Sequence, residues 1–420
     1  MPVAAVAVAL ALLDRSALRV WRVVTTLFDR TDRAYWTAIG VGLANLILLG
    51  PLGRRIALIA EDDLSRIWAG PRAALAGADP YDPATWVATA TVLGTQVPDT
   101  AVYIYPPWVL VALLPLGAMP LPAASILWSL GGLALAIVGV RALLREFLPG
   151  VVWAHALVPL TLLLSWAGIL GFVIGQWAYL LIAALSAAVL ALRRGRAVPA
   201  GLAALALIAK PQLFVVAVPA LGVHALWPRA DAAATRAARL AVATAAGSGL
   251  ALVVVGWLAF PQWWPTWFRE IGGQQLQPDF ATVASLLFAL FGSGADRFAP
   301  LVLLGLAALA LRFHPLSDAW LAVWLALTIA GAPYTNSYDQ IILIVPIVIA
   351  AGILRPRSRR ASTIVLVGGS LLLLVGTPFL YGIALRRVTE TYSVLVPLAA
   401  YALIVVALWP LGTWPRRRSR

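Results

Sequence analysis

Apolar residues run in blocks of roughly 16 to 23 along almost the whole chain, and short polar or basic stretches punctuate them. As helix, each block rises about 1.5 Å per residue, which gives the length that a ~30 Å hydrocarbon layer requires. A transmembrane barrel would show strict alternation instead, and the chain does not. The pattern predicts an all-α, polytopic membrane protein of about twelve transmembrane helices. One consistent threading puts them near 36–53, 121–142, 151–170, 176–192, 198–209, 212–228, 238–259, 298–311, 318–332, 338–353, 362–381 and 392–411.

Two connections in that threading are long. The first, about 53–120, contains the apolar run VYIYPPWVLVALLPLGAMP, which is short and Pro-rich and reads as a re-entrant or amphipathic surface helix. Counting it as a span would put Gln176 inside and the arginines of 193–196 outside, against the positive-inside bias. The second, about 260–297, carries PQWWPTWFREIGGQQLQPDF. Its Trp cluster suits the headgroup level, where an apolar ring and an N–H donor are both satisfied, and reads as an interfacial anchor.

Composition narrows the class further. With 62% hydrophobic and 11% charged residues, the chain fits no soluble domain. Cysteine is absent and histidines number three, which excludes disulfides and thiolate metal sites and leaves little for zinc. The net charge of +14 is explained by position, since 22 of the 31 cations fall on the inner side of the threading. Both termini are then cytoplasmic, the basic loops face anionic membrane lipids, and no nucleic-acid partner is implied. Residues 1–35 read as a cytoplasmic interfacial segment, with a helix over 14–33, and 413–420 as a basic cytoplasmic tail. MPVAAVAVALALL lacks the basic n-region of a signal peptide.

Candidate chemistry gathers on the outer side. Glu61-Asp62-Asp63 ends the first span, and carboxylates beside a bilayer are costly enough to suggest function. The same side collects Tyr103 and Tyr105, Gly175-Gln176, Lys210-Pro211-Gln212, Gln274-Gln275 and PYTNSYD at 333–339. Lys210, the only lysine, suits an anionic phosphate, as do Arg54 and Arg55 with their forked donors. Structural roles compete at each position. Asp62, Asp63 and Asp339 could cap helices, Lys210 could snorkel to the surface, and Gln176 could join helices. The three histidines thread to the inner side, which leaves no histidine for a proton relay.

In order along the chain, D-x(13)-G-x(3)-Y from Asp63 through Gly77 to Tyr81, Y-x-Y-P-P at 103–107, GQ, KPQ and PYTNSYD resemble glycosyltransferase family 87 over roughly residues 40–350. The resemblance implies a GT-C-like fold, residues 36–412 forming one transmembrane glycosyltransferase domain. It also implies hexose transfer from a polyprenyl phosphate sugar donor to a glycolipid or glycan acceptor on the outer side of the cell membrane, with mannose as the guessed sugar. Asp63 takes the place of the family's first-loop aspartate, a general base, with Asp62 as backup. Lys210, Arg54 and Arg55 would hold the donor phosphate; Tyr103, Tyr105, Gln176, Gln212, Tyr338 and Asp339 would contact substrate. No cofactor is required, although Glu61, Asp62, Asp63 and Asp339 could hold a divalent cation through oxygen. A secondary transporter or a lipid-linked saccharide flippase or polymerase is the alternative, but the repeated halves expected of a carrier are not visible.

Overall fold

The computed structural model describes the backbone of residues 29–56, 63–93, 102–229, 231–274, 279–387 and 389–411, and the side chains of all of these except 52–56, 90 and 271–274. Helix follows helix from Arg30 to Leu411, and no strand occurs among the described residues. Six helices are long and apolar enough to cross a membrane: Arg30–Pro51, Leu121–Phe147, Ala232–Ala259, Ser337–Leu354, Arg359–Arg387 and Thr391–Leu411. Val152–Leu164 and Trp166–Val173, bent by 50°, make a seventh if the pair is one span. The bend falls at Ser165, which is extended and whose side chain caps the second segment by accepting from the Gly168 N–H at 3.1 Å.

A helix stands at every one of the twelve positions that the apolar pattern predicts, but several are short. Ala178–Arg193, Ala197–Leu207, Ala217–Leu226 and Asp318–Ala330 have 10–17 residues, and Ala299–Ala310 has 12. They reach roughly 15–25 Å, so length and composition support six or seven crossings where the pattern alone predicts twelve. Apolar runs continue past the points where Gly, Pro and polar pairs end these helices, and a hydropathy window does not register those ends. The first long helix begins at Arg30, so residues 30–33 belong to it rather than to an interfacial helix. The rest of the proposed interfacial segment and the basic tail lie outside the described residues.

The centre is the helical stretch Ser337–Leu354, whose most apolar window is 94% buried against Leu121–Phe147, Asp318–Ala330, Arg359–Leu371 and Leu395–Leu408. By contrast Ala232–Ala259 is only 11% buried and turns side chains such as Leu250 and Leu258 outward, as a lipid-facing helix does. At one end of the bundle, buried Asp32 binds Arg141 and Arg145 at 2.9 and 2.6 Å, and Glu146 binds Arg193 and Arg194, each at 3.2 Å. Helix Ala178–Arg193 runs from that basic end to Gln176 at the other.

Over the second end lies the first long connection, folded as short helices Asp63–Leu75, Pro83–Val92, Pro107–Ala112 and Leu114–Gly117. The apolar run at 102–120 thus breaks into helices of six and four residues, and neither spans. Hydrogen bonds fix this cap: Tyr81 Oη to the Tyr105 carbonyl at 2.7 Å, Tyr103 N to the Pro80 carbonyl at 2.8 Å, and Trp68 Nε1 to the Met119 carbonyl at 2.9 Å. Helix Trp263–Gln274 of the second connection clasps it, with Trp267 Nε1 donating to the Ile104 carbonyl at 2.7 Å. Of the tryptophan cluster expected to anchor at the interface, Trp263 and Trp267 are instead buried against Trp108, and only Trp264, with Phe268 beside it, is about half exposed.

Candidate active site

Four helix ends meet beneath that cap. Gly175-Gln176 joins Trp166–Val173 to Ala178–Arg193, Lys210 precedes Pro211–Phe214, residues 333–336 precede the 3-10 turn Ser337–Leu343, and Asp63 opens Asp63–Leu75. Gly175 has φ +69°, and a Cβ there would sit 2.5 Å from Leu64 Cβ, so only glycine lets the Asp63 helix approach this turn. The turn is tied down from two sides: Leu64 N donates to the Ile174 carbonyl at 3.2 Å and Trp128 Nε1 to the Gly175 carbonyl at 2.8 Å. Pro211 carries no N–H and disfavours helix at the residue before it, which leaves Lys210 non-helical at the break.

The side chains form one linked series. Gln176 Nε2 donates to Asp63 Oδ2. Lys210 Nζ donates to Gln176 Oε1 at 3.3 Å and to both Asp339 oxygens, at 2.8 and 3.1 Å. Asp339 also accepts from Asn336 N at 3.3 Å and Thr335 Oγ1 at 3.4 Å, so it caps its own turn while pairing Lys210. Lys210 and Asp339 are 3% and 0% exposed: the lone lysine is paired inside the bundle and does not snorkel. Its ammonium also lies 5.1 Å from the centre of the Tyr338 ring, a cation–π contact, and Asn336 Nδ2 donates to Tyr338 Oη at 2.6 Å.

A cleft of about 50 Å³ opens in front of this series. Asp63, Gln176, Lys210, Gln212, Tyr105 and Tyr338, all read from sequence, line it. Arg66, Tyr334 and Trp267 line it too and were not singled out as substrate contacts. Arg66 stands three residues after Asp63 on one helix, which puts both on the same face, a spacing the sequence did display. Asp339 stands behind Lys210, outside the lining. Tyr103 is fully buried, its Oη donating to the Ile67 carbonyl at 3.2 Å beneath the cap. Burial and the Asp63 carboxylate push the Tyr105 phenol well above its ordinary range; burial, Asp63 and Asp339 do the same at Tyr334.

Arg54 and Arg55 fall in the last turn of helix Arg30–Ile56, with side chains outside the described residues, where Glu61, Asp62 and Gln275 also lie. Buried His155 is within 3.3 Å of the Leu148 carbonyl and His224 within 2.6 Å of the Pro315 carbonyl; like His314, neither lines the cleft. Among the described residues no three Asp, Glu, His or Cys side chains gather as metal ligands would.

Behind the 333–339 turn sits a carboxylate that sequence reasoning passed over. Buried Glu390 accepts from Ser337 N at 2.6 Å and Ser337 Oγ at 3.2 Å, and burial pushes its carboxyl up to about 7. Nothing in its local sequence, RRVTETYS, marks it, because its partners come from a turn 53 residues earlier.

Residues 103–375 match the model of glycosyltransferase family 87. The chain belongs to that family. No curated protein and no solved structure matches it. The family 87 stretch carries Tyr105, Gln176, Lys210, Gln212, Tyr338 and Asp339, and leaves Asp63, Arg66 and Glu390 outside. This glycosyltransferase is a membrane protein by its apolar helices. Sugar transfer to a hydroxyl asks for a base near the incoming oxygen and cations near the departing group. The cleft holds a carboxylate, Asp63, within one hydrogen-bonded series of Lys210 and beside Arg66.

Proposed function

We propose that this family 87 enzyme transfers a hexose, with mannose the first to try, from a polyprenyl phosphate donor to a hydroxyl of a glycolipid or glycan, on the outer face of the cell membrane. Asp63 is the general base. Its carboxylate takes the acceptor hydroxyl proton as the oxygen attacks the anomeric carbon, the new C–O bond forms on the face opposite the phosphate, and the C–O bond to phosphate breaks with its electrons on the departing oxygen. The product is inverted. Lys210 and Arg66 stabilise the charge that develops on the lipid phosphate, and Arg54 and Arg55 are available from the adjoining helix end. Gln176 orients the base, and Tyr105, Gln212 and Tyr338 contact the sugar. Asp339 acts through Lys210, holding its ammonium in place.

The single observation supporting this reading is the continuous link Asp63, Gln176, Lys210, Asp339 at the wall of one cleft. It puts a base and a cation on opposite arms of the same amide, the separation that proton removal and leaving-group stabilisation need. A lipid phosphate departs with less charge than a nucleotide diphosphate, so transfer is expected to survive EDTA. The arginines at the opposite end of helix Ala178–Arg193 support an outer location under the positive-inside bias.

The test is radiolabelled sugar transfer by the purified protein in nanodiscs, with polyprenyl-phosphate sugars and host lipid extract, comparing wild type with Asp63→Asn. Transfer that disappears in the variant, with melting temperature and donor binding retained, supports Asp63 as base. Equal transfer by both moves the base to Asp62, and no transfer from any donor overturns the proposal and directs attention to solute or lipid movement.

A further inference from the structure

The basic end of the bundle contains a second cavity, of about 360 Å³, some way from the chemistry. It lies where Ala178–Arg193 ends, Ala217–Leu226 ends and Ala232–Ala259 begins. Helix Ala178–Arg193 has 16 residues, which separates this cavity from Gln176 by roughly 24 Å. Arg193, Arg196 and Arg229 line it, with Asp318 the only carboxylate among the lining residues.

Charge at this site is not balanced. Arg193 and Arg194 are matched by Glu146 and Asp318. Arg229 donates to the Ala225 and His224 carbonyls at 2.6 and 2.8 Å, which holds its guanidinium at the mouth without neutralising it. Arg196 is exposed, its backbone N–H donates to the Ala191 carbonyl at 2.9 Å, and its guanidinium has no ion-pair or hydrogen-bond partner among the described residues. Two guanidinium charges are therefore left for an anion.

An apolar groove of about 240 Å³ adjoins the cavity, and Leu192 and Ala241 line both. Ala and Gly dominate its walls, with Gly201 and Ala204 on one helix, Gly222 on a second, and Ala245 on a third. At Gly201 a Cβ would lie 2.4 Å from the Ala241 carbonyl oxygen, so the first and third of these helices touch there, whereas nothing stands within 4 Å of a Cβ at Gly222, and the space beside it is left open. Every residue lining the groove is apolar or glycine. A soluble phosphate would have no use for the groove, and a neutral lipid none for the arginines.

We propose that this cavity and groove form a binding site for one anionic phospholipid, its phosphate between Arg196 and Arg229 and an acyl chain along the groove. The site is separate from the cleft and does not depend on the donor assigned to it. The bound lipid joins Ala197–Leu207, Ala217–Leu226 and Ala232–Ala259. The first of these leads directly into Lys210, so occupancy steadies the cation of the cleft.

The experiment uses the full chain, delipidated in neutral detergent, and follows tryptophan-fluorescence melting with four additives: phosphatidylglycerol, phosphatidylcholine, inorganic phosphate and a polyprenyl phosphate. Phosphatidylglycerol is expected to raise the midpoint by several degrees, and phosphatidylcholine and inorganic phosphate to leave it unchanged. Arg196→Gln, a change at an exposed and unpartnered side chain, and Ala204→Trp, which fills the groove, should each lose that rise while melting like wild type in phosphatidylcholine. An equal rise with phosphatidylcholine, a rise with inorganic phosphate alone, or a full rise in both variants would overturn the proposal. So would a polyprenyl phosphate effect, larger than that of phosphatidylglycerol, that both variants abolish, since the groove would then belong to a prenyl lipid.

Discussion

Lys210 and Asp339 illustrate why one lysine in an apolar chain was informative. A lone ammonium among apolar helices needs either water or a carboxylate, and here it has Asp339 at 2.8 Å with almost no exposure. Lys210→Met would leave that carboxylate buried and unpaired, and denaturant titration in detergent should record a loss of about 3–5 kcal/mol. Combining Lys210→Met with Asp339→Leu removes the stranded charge, so most of the stability should return while sugar transfer stays absent. Glu390 makes a separate prediction. Its folded-state carboxyl is raised to about 7 from an unfolded value near 4.3, so the folded state binds the proton more tightly. The stability it contributes is complete below the unfolded value and is lost as pH rises through about 7. Melting temperature should therefore fall between pH 5 and 8 in wild type, and Glu390→Gln should flatten that slope. An unchanged slope would mean that another group titrates.

At the scale of elements, the site is built from helix ends, and the glycine that permits their meeting is Gly175. Gly175→Ala would strain a left-handed residue and push its new methyl into Leu64, moving the Asp63 helix. Because a misplacement of about 1 Å can cost on the order of 100-fold in rate, kcat should drop by that order while donor affinity changes little. Transfer kinetics over a donor series would separate the two. The same element logic explains what the sequence displayed. Asp63, Gln176, Lys210 and Asp339 were legible because each is a polar residue stranded beside apolar runs, at a Gly or Pro break or a helix start. Arg66 was not singled out and Tyr334 was gathered only within PYTNSYD, since an arginine on a short helix and a tyrosine before a turn show no substrate role until the cleft is formed. Glu390 was illegible for a stronger reason: the Ser337 groups that its carboxylate accepts from lie 53 residues earlier in the chain.

For the whole molecule, orientation is the measurable quantity. Since the chain has no native cysteine, single cysteines can be introduced cleanly. Arg196→Cys, at an exposed position in the arginine loop at one end, should react with an impermeant maleimide only after the membrane is opened. Ser293→Cys, exposed in the second long connection, should react in intact cells. The reverse pattern would invert the protein and place the cleft on the cytoplasmic side. Helix length matters at this scale too. Six or seven helices can cross unaided, and one of the shorter ones, Ala197–Leu207, ends where the cleft begins. A polar cleft at depth is tolerated only because irregular backbone there is enclosed by protein.

The residues by themselves determined the all-helical membrane class, the position of every main apolar helix and the ordered motifs of family 87. These follow from local hydropathy, charge and spacing, which no later packing can alter. Only the tertiary structure decided how far each helix extends, that the Pro-rich run at 102–120 becomes two short helices beneath a tryptophan clasp, and that Lys210 faces Asp339 rather than solvent. It also decided that Glu390 supports Ser337 and that a basic and an apolar cavity lie side by side, both lined by Leu192 and Ala241. These depend on contacts between residues tens to hundreds of positions apart, where the energy of pairing a buried charge or filling a gap is set by neighbours that no local pattern records.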